Sequence, residues 1–376
     1  MSNSSMSAAS GPAVGPLGTA LDEVRRIAVL RGGNIGDLLF ALPAIDALKA
    51  RYPDAHITLL CRPPHAALLA NRPSSVDETV ILPIVDGVRG EPGQEPDEES
   101  IERFFADMQA RRFDLAVQIH GGGKFSNPFV RRLGAATAIG LRTPDAGELD
   151  RTVPYRYYQH EVLRALEVVG LVGAPIVVLE PQVAVTEQDR RRAIELLGFG
   201  EGRLLAIHPG ATDPRRRWPA DRFGDIAARA VAEGVQVVVV GDAGDADLAS
   251  AVVEAATIAG APAGSVVSLA GAGDLGQLIG ALAHATVFVG NDSGPRHIAQ
   301  AVGCATVGIY WVGNVINAGP LGRGRHSVHL GWTVNCPVCG IDVTQVGWTA
   351  ERCEHNPSFV ADVPVDAVWD DVRSFL

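Results

Sequence analysis

From Arg26 onward, apolar residues come in two patterns that alternate along the chain. Short continuous runs, as in "RIAVLR", "HITLLC", "VDETVILP" and "FDLAVQIH", predict strands buried on both faces. Between and after them lie stretches in which apolar residues recur every three or four positions. "DLLFALPAIDALKARYP" places Leu38, Leu39, Leu42, Ile45 and Leu48 on one helical face and stops at Tyr52-Pro53. Pro43 within it predicts a kink, or else the true first turn. After "VLEPQVAVTEQD" the alternation restarts. The predicted strands are "LLAIHPG", "VQVVVVGD", "VVSLAG", "TVFVGND" and "ATVGIYW". The helices between them are "ADRFGDIAARAVAEG", "ADLASAVVEAA", "DLGQLIGALAHA" and "GPRHIAQAVG". This repetition predicts two parallel, doubly wound α/β units. Ligands of such sheets sit outside the strand C-termini, so both units are expected to aim loops at a shared cleft.

Composition narrows the class. The chain has 376 residues, 47% apolar, with a formal net charge of −11. That is enough for two or three domains, and the acidic balance argues against generic nucleic-acid binding. Residues 1–20 are small and polar and predict a disordered tail without a signal core. The acidic stretch "DGVRGEPGQEPDEES" predicts a solvated surface loop. No apolar run approaches 18 residues, so no span is predicted. Five cysteines in this length do not form a disulfide framework, and a reducing cytoplasm is the default.

Four loops carry candidate chemistry. In "VLRGGNIGDLLFALPAI", Gly32, Gly33 and Gly36 do not make G-x-G-x-x-G, and Asp37 puts an acid where a phosphate-binding helix would have none. In "VGNDSGPRHIAQAVG", Asp292, Ser293 and Gly294 stand where a strand passes into a helix. Backbone N–H groups and a hydroxyl there suit a diphosphate. Pro295 costs no needed donor at the first helical position. Asp292 would accept from a sugar hydroxyl or order the loop, and His297 lies one turn in. A simple cap with a buried histidine is the alternative. In "HPGATDPRRRWP", Thr212 and the cations Arg215, Arg216 and Arg217 would stabilise a departing diphosphate, unless the run is merely solvated. In "QIHGGGKFSNP", His120, Lys124 and Asn127 are candidate acceptor contacts, a plain turn being the other reading.

The tail holds "CPVCG". Cys336 and Cys339, with Cys353 and His355, offer three thiolates and an imidazole for a structural zinc or iron, and His329 lies upstream. The second C-x-x-C of a usual knuckle is missing, so free thiols are the competing expectation. Cys61 and Cys304 sit in apolar surroundings as small hydrophobes.

Taken together, "RGGNIGDLLFALPAI", "HPGATDPRRRWPADRF", "VVVVGDAGD" and "VGNDSGPRHIAQAVGCATVGIY" resemble glycosyltransferase family 9, the heptosyltransferases of GT-B type, from about Arg26 to the end. The resemblance implies two Rossmann-like domains facing each other across a cleft: 21–180 for the acceptor, 181–363 for the nucleotide sugar, and a terminal helix at 364–376 packing back on the N-terminal domain. It implies an inverting transfer that needs no metal, typically from ADP-L-glycero-D-manno-heptose to a saccharide or other hydroxyl acceptor. By the same resemblance Asp37 would be the general base, with Gly36 beside it in the acceptor loop. Asp292 would contact the donor sugar, Ser293 and Gly294 the diphosphate, and Arg216 would stand where the family usually has a phosphate-binding lysine. A lipopolysaccharide acceptor would ask for peripheral contact at the inner face of the membrane. Within the fold, a transferase or epimerase using a UDP- or GDP-sugar is the rival; outside it, a non-catalytic nucleotide-sugar-binding protein.

Overall fold

The computed structural model describes residues 12–15, 17–198, 202–344 and 351–376. It divides into two compact units at Pro181/Gln182. In the first, strands β1 (Arg26–Leu30), β2 (His56–Cys61), β3 (Glu78–Ile81), β4 (Leu115–Gln118), β5 (Thr137–Arg142) and β6 (Arg151–Pro154) form one parallel sheet in the order β3-β2-β1-β4-β5-β6. The helices are α1 (Ile35–Arg51), α2 (Pro63–Leu69), α3 (Glu98–Ala110), α4 (Ser126–Arg132) and α5 (Glu161–Gly170). Ile27, Val29, Leu30, Leu115 and Val117 are sealed from solvent, because helices cover both sheet faces.

The second unit repeats the plan. Its strands β7 (Leu204–His208), β8 (Gln236–Val239), β9 (Val266–Ser268), β10 (Val287–Asn291), β11 (Ala305–Trp311) and β12 (His326–Gly331) run parallel in the order β12-β11-β10-β7-β8-β9. Helices α6 (Glu187–Leu197), α7 (Ala220–Ala232), α8 (Ala246–Ile258), α9 (Leu275–His284), α10 (Gly294–Ala301), α11 (Val312–Ala318) and α12 (Val365–Phe375) complete it. Each sheet therefore reverses its winding once, between β1 and β4 in one unit and between β7 and β10 in the other. The loops after those four strands are the ones the fold leaves open for ligands.

Several expectations need correcting. α1 runs unbroken through the buried Pro43, so that residue neither starts nor ends it. The acidic loop ends in α3, whose first turn carries Glu98 and Glu99, where the helix dipole favours anions. The described part of the tail is not loose: Gly18 donates to the Gly170 carbonyl at 2.8 Å and Ile176 to that of Pro12 at 2.8 Å. Residues 1–11 lie outside the described residues. The apolar face of the terminal helix, Val368, Trp369 and Val372, is taken up in the core of the second unit with Trp218, Phe359 and Val363. Among the described residues no helix is long and apolar enough to cross a membrane.

Candidate active site

Asp37 sits in the first turn of α1 with both carboxylate oxygens engaged. Oδ2 accepts the Asn34 N–H at 2.7 Å, and Oδ1 accepts from Arg31 Nη2 at 2.8 Å. Gly33 makes the first contact fit: at φ +84° it turns the chain, and a Cβ there would meet Asp37 Oδ2 at 2.5 Å. Arg31, just past the C-terminal end of β1, commits four of its five N–H groups. Its Nε donates to the Asp37 carbonyl at 2.8 Å, Nη1 to the Ile119 carbonyl, and Nη2 also reaches Glu161 Oε2 at 3.3 Å. Glu161 in turn pairs with the buried Arg164, which also donates to the carbonyls of Arg156, Tyr157 and Gln159. The result is a ladder of alternating charge, Asp37–Arg31–Glu161–Arg164. Its Asp37 end is the open one, with that side chain 37% exposed against 8% for Arg31. Alternation is what makes burial of the two arginines, Arg31 and Arg164, tolerable.

The loop after β4 lies beside it. His120 abuts Gly32, where a Cβ would come within 2.9 Å of the ring. Burial, with the nearby Arg31 charge, pushes the His120 pKa down to about 4, so the ring is neutral near pH 7. Lys124 is exposed and 3.5 Å from Asp145. Two expected acceptor contacts are not available as such. Asn127 is fully buried and donates to the carbonyls of Leu141 (3.2 Å) and Gly147 (2.8 Å), tying α4 to the sheet. Gly36 is buried in the first turn of α1. Gly122 and Gly123 of the loop after β4 make room for their own neighbours, Thr143 and Asn127, whereas Gly121 faces open space.

In the second unit the loops after β7 and β10 are clasped together. Asn291 accepts from the Trp218 N–H at 2.9 Å and donates to the Pro209 carbonyl at 2.7 Å. Asp292 is buried and turned inward. Oδ2 accepts from Arg216 Nη1 (3.0 Å) and Asn314 Nδ2 (2.8 Å), and Oδ1 from His297 Nε2 (3.1 Å). Burial alone would raise its pKa. The His297 hydrogen bond and the charges of Arg216 and Arg296 outweigh that and hold it well below the usual carboxylate range. Arg296 donates to His297 Nδ1, so the ring carries its proton on Nε2 and hands it to Asp292. Asp292 and His297 thus order the loop in this state. A sugar contact at Asp292 would fall to Oδ1, which accepts once, since Oδ2 already accepts twice.

Ser293 is the N-cap of α10, yet its side chain does not cap that helix. It turns to His208 Nδ1 at 3.0 Å, while His208 Nε2 meets Asp245 Oδ2 at 3.1 Å. Pro295 stands at the second helical position, not the first, and has no N–H, so it is the Gly294 and Arg296 N–H groups of the first turn that have no side-chain cap, as an anion site requires. Thr212 is exposed. Of the three arginines, Arg215 is not a surface cation: it is buried, chelates Asp213 and lies 5.1 Å over the Phe359 ring. Arg217 donates to the Ala211 carbonyl. Arg216, half-buried on Asp292, keeps further guanidinium N–H groups to offer.

The cysteine tail closes as the spacing predicts. Gly340 at φ +76° turns the knuckle, its N–H bonding the Cys336 carbonyl at 2.8 Å. The ligand atoms of Cys336, Cys339, Cys353 and His355 all lie within 4.8 Å of one another. A tetrahedral zinc thiolate site has edges of about 3.8 Å, so the set can hold a metal ion. Backbone donors from Cys339 and Val338, and the neighbouring thiols, hold the Cys336 thiol down to about 6, closer to the thiolate a metal needs. His329 is not part of the set: its Nε2 lies 2.9 Å from Asp371 on α12.

Comparison with known proteins decides the family. The family model for glycosyltransferase family 9 (heptosyltransferase) matches residues 101–339, well over half of the chain. The chain belongs to glycosyltransferase family 9. The matched span contains both second-unit loops and starts after Asp37. Among curated family 9 relatives, lipopolysaccharide heptosyltransferase 2 of Salmonella typhimurium is 26% identical over 372 residues, covering 93% of this chain and 98% of that one. The solved structure of E. coli ADP-heptose LPS heptosyltransferase II superposes with TM-score 0.69 at 19% identity, over 93% of this chain and 98% of that one. A more distant fold match is the iron-containing dodecameric glycosyltransferase TibC of enterotoxigenic E. coli, with TM-score 0.55 and 12% identity over 95% of this chain and 77% of that one. The protein is thus a glycosyltransferase with the GT-B fold.

Sequence reasoning missed Arg31, Glu161, His208, Asp245 and Asn314. Two of them carried a signal: a charged or titratable residue closing an apolar strand, as in "AVLR" and "LAIH", has to be held by something at the ligand end of the sheet.

Proposed function

We propose that this protein transfers a heptose from ADP-heptose to a hydroxyl of a lipopolysaccharide-core acceptor, with inversion at the anomeric carbon. The observation that carries this is the α10 N-terminus, with Ser293 turned away from its helix and Arg216 held one residue before it on Asp292. In this reading Ser293, the Gly294 N–H, Arg216 and Thr212 bind the donor diphosphate, and His297 and Asp292 fix the loop. In the first unit Asp37 takes the proton of the acceptor hydroxyl as its oxygen attacks the anomeric carbon. The bond from that carbon to the diphosphate oxygen breaks, and ADP departs. A carboxylate oxygen has two lone pairs, so one donor on each oxygen of Asp37 leaves capacity for that proton. His120 and Lys124 serve the acceptor. Cys336, Cys339, Cys353 and His355 hold a structural zinc or iron, a reading supported by the donor set and by the iron-containing fold relative. Work at the inner, cytoplasmic face of the membrane fits a nucleotide-sugar donor and a lipid-borne acceptor. The experiment is product mass spectrometry after incubation with ADP-heptose and heptose-deficient lipopolysaccharide cores. A mass gain of one heptose is expected. Turnover with UDP- or GDP-sugars in preference to ADP-heptose would overturn the donor assignment.

A further inference from the structure

Ser293 is bonded to a buried histidine. His208 is 4% exposed and ends β7, with Asp245 on one ring nitrogen and Ser293 on the other. The two loops are shaped around this pair. A Cβ on Gly210 would overlap Asp245 Oδ1 and lie 2.9 Å from His208 Cε1, and one on Gly241 would lie 2.7 Å from Asp245 Cβ. The groups facing His208 are few. Asp245 comes from the β8–α8 connection, with the Arg217 charge acting on it, and Ser293 from the β10–α10 connection. The neighbouring Asp292 is committed to Arg216, Asn314 and His297. Asp245 is held below its usual range, chiefly by the His208 hydrogen bond.

A serine hydroxyl has one proton to donate. If the His208 ring is neutral, Nε2–H goes to Asp245 and Nδ1 accepts. The Ser293 O–H is then spent on His208, and its oxygen presents only lone pairs to a phosphate. If the ring is cationic, both nitrogens donate. Ser293 then accepts from Nδ1–H, and its own O–H is free to turn to the phosphate. An anion at the α10 N-terminus favours the second arrangement, and Asp245 balances the ring charge.

We infer that His208 is a positioning residue that takes up one proton from solvent when a nucleoside diphosphate binds, reversing the His208–Ser293 hydrogen bond so that Ser293 donates to the phosphate. The proton is returned when the nucleotide leaves. The cation is also in place as negative charge builds on the departing phosphate. This inference rests on the diphosphate reading of these loops.

The test is calorimetric titration of the full-length protein with ADP at about pH 8, in two buffers of different ionisation enthalpy. At that pH the nucleotide's own phosphate is already ionised. Wild type is expected to take up nearly one proton per ADP, and its affinity to fall with rising pH by up to about tenfold per unit. His208→Gln and Ser293→Ala should bind about tenfold more weakly with no uptake and a flat pH profile. Asp245→Asn, nearly the same size, should reduce uptake while melting like wild type. ADP binding without uptake in wild type, or equal uptake in His208→Gln, overturns the inference alone. No ADP binding by wild type, with Arg216→Ala equally inert, overturns the diphosphate reading and the inference with it.

Discussion

Arg31 Nη2 stands 2.8 Å from Asp37 Oδ1, and the same guanidinium holds the Asp37 carbonyl, the Ile119 carbonyl and Glu161. The residue proposed as base is therefore fixed in place by a cation that spends both Nη2 donors and its Nε on this network. Positioning and basicity pull in opposite directions here, since a close cation stabilises the ionised carboxylate. Asp37→Ala should reduce kcat by about 10²–10⁴-fold, the usual worth of a general base, with ADP affinity unchanged. Arg31→Lys keeps the charge but not the fork. It should lower kcat by about tenfold or more without altering donor KM. Arg31→Met should in addition destabilise the fold by about 3 kcal/mol, because Glu161 is left buried beside one arginine fewer. Wild-type turnover by Asp37→Ala would remove the base assignment.

Asp292 gives a pH prediction with a definite sign. Its pKa is lower in the folded protein than in the unfolded chain, so below about pH 4 the unfolded chain binds a proton that the folded one refuses. The stability it contributes is complete above that pH and is lost as pH falls toward the depressed native value. Asp292→Asn should cost about 3 kcal/mol at neutral pH, since Arg216 and Arg296 lose their buried counter-ion. The variant should also show a shallower acid limb in urea unfolding. Parallel acid limbs for the two proteins would show that Asp292 is not the group responsible.

The two sheets were readable because their central strands are the apolar ones. β1, β4, β7 and β10 are covered on both faces, and their runs of Val, Ile and Leu leave no other fate. Of the four edge strands, β3 and β9 were readable and β6 and β12 were not. β6 is four residues, "RTVP", and β12, "HSVHLG", alternates histidines with apolar residues and is only partly buried. At a sheet edge one side of the strand meets solvent and the pattern weakens. The site divides in the same way. Residues on the four switch-point loops, Asp37, His120, Arg216, Asp292 and Ser293, stood out locally. Their partners Glu161, Asp245 and Asn314 are distant in sequence and are brought in by the winding, which no local pattern records.

His120 supplies a second window. Its pKa, near 4 in the fold, is below the ordinary histidine value near 6.5. Between those values the unfolded chain is protonated and the folded ring is not, so stability falls as pH drops from about 6.5 to about 4. His65, also lowered by burial, adds to the same slope. His120→Gln should flatten part of it, read as melting temperature against pH. At neutral pH the same variant should raise acceptor KM severalfold and leave donor KM alone. A change confined to donor KM would place His120 with the nucleotide instead.

The cysteine cluster is tied to the arginine loop by the chain around it. Directly after Cys353 and His355, Ser358 Oγ donates to the Arg217 carbonyl at 2.6 Å and the Phe359 N–H to the Arg215 carbonyl at 2.6 Å. The Phe359 ring lies under the Arg215 guanidinium, and Arg352 reaches Asp213 at 3.5 Å. Both residues flanking Arg216 are thus buttressed by the chain that leaves the cluster. About one equivalent of zinc or iron per chain is expected by elemental analysis, and less than about a tenth would reject a structural site, since such sites bind tightly. Chelation, or Cys336→Ser with Cys339→Ser, should free residues 353–359 and with them the Arg215–Arg217 turn. The expected result is a severalfold rise in donor KM with a small change in kcat, and faster proteolysis near the cluster, because Arg216 loses its placement while Asp37 is untouched. A fall in kcat at constant donor KM would mean that the cluster acts elsewhere than through the arginine turn.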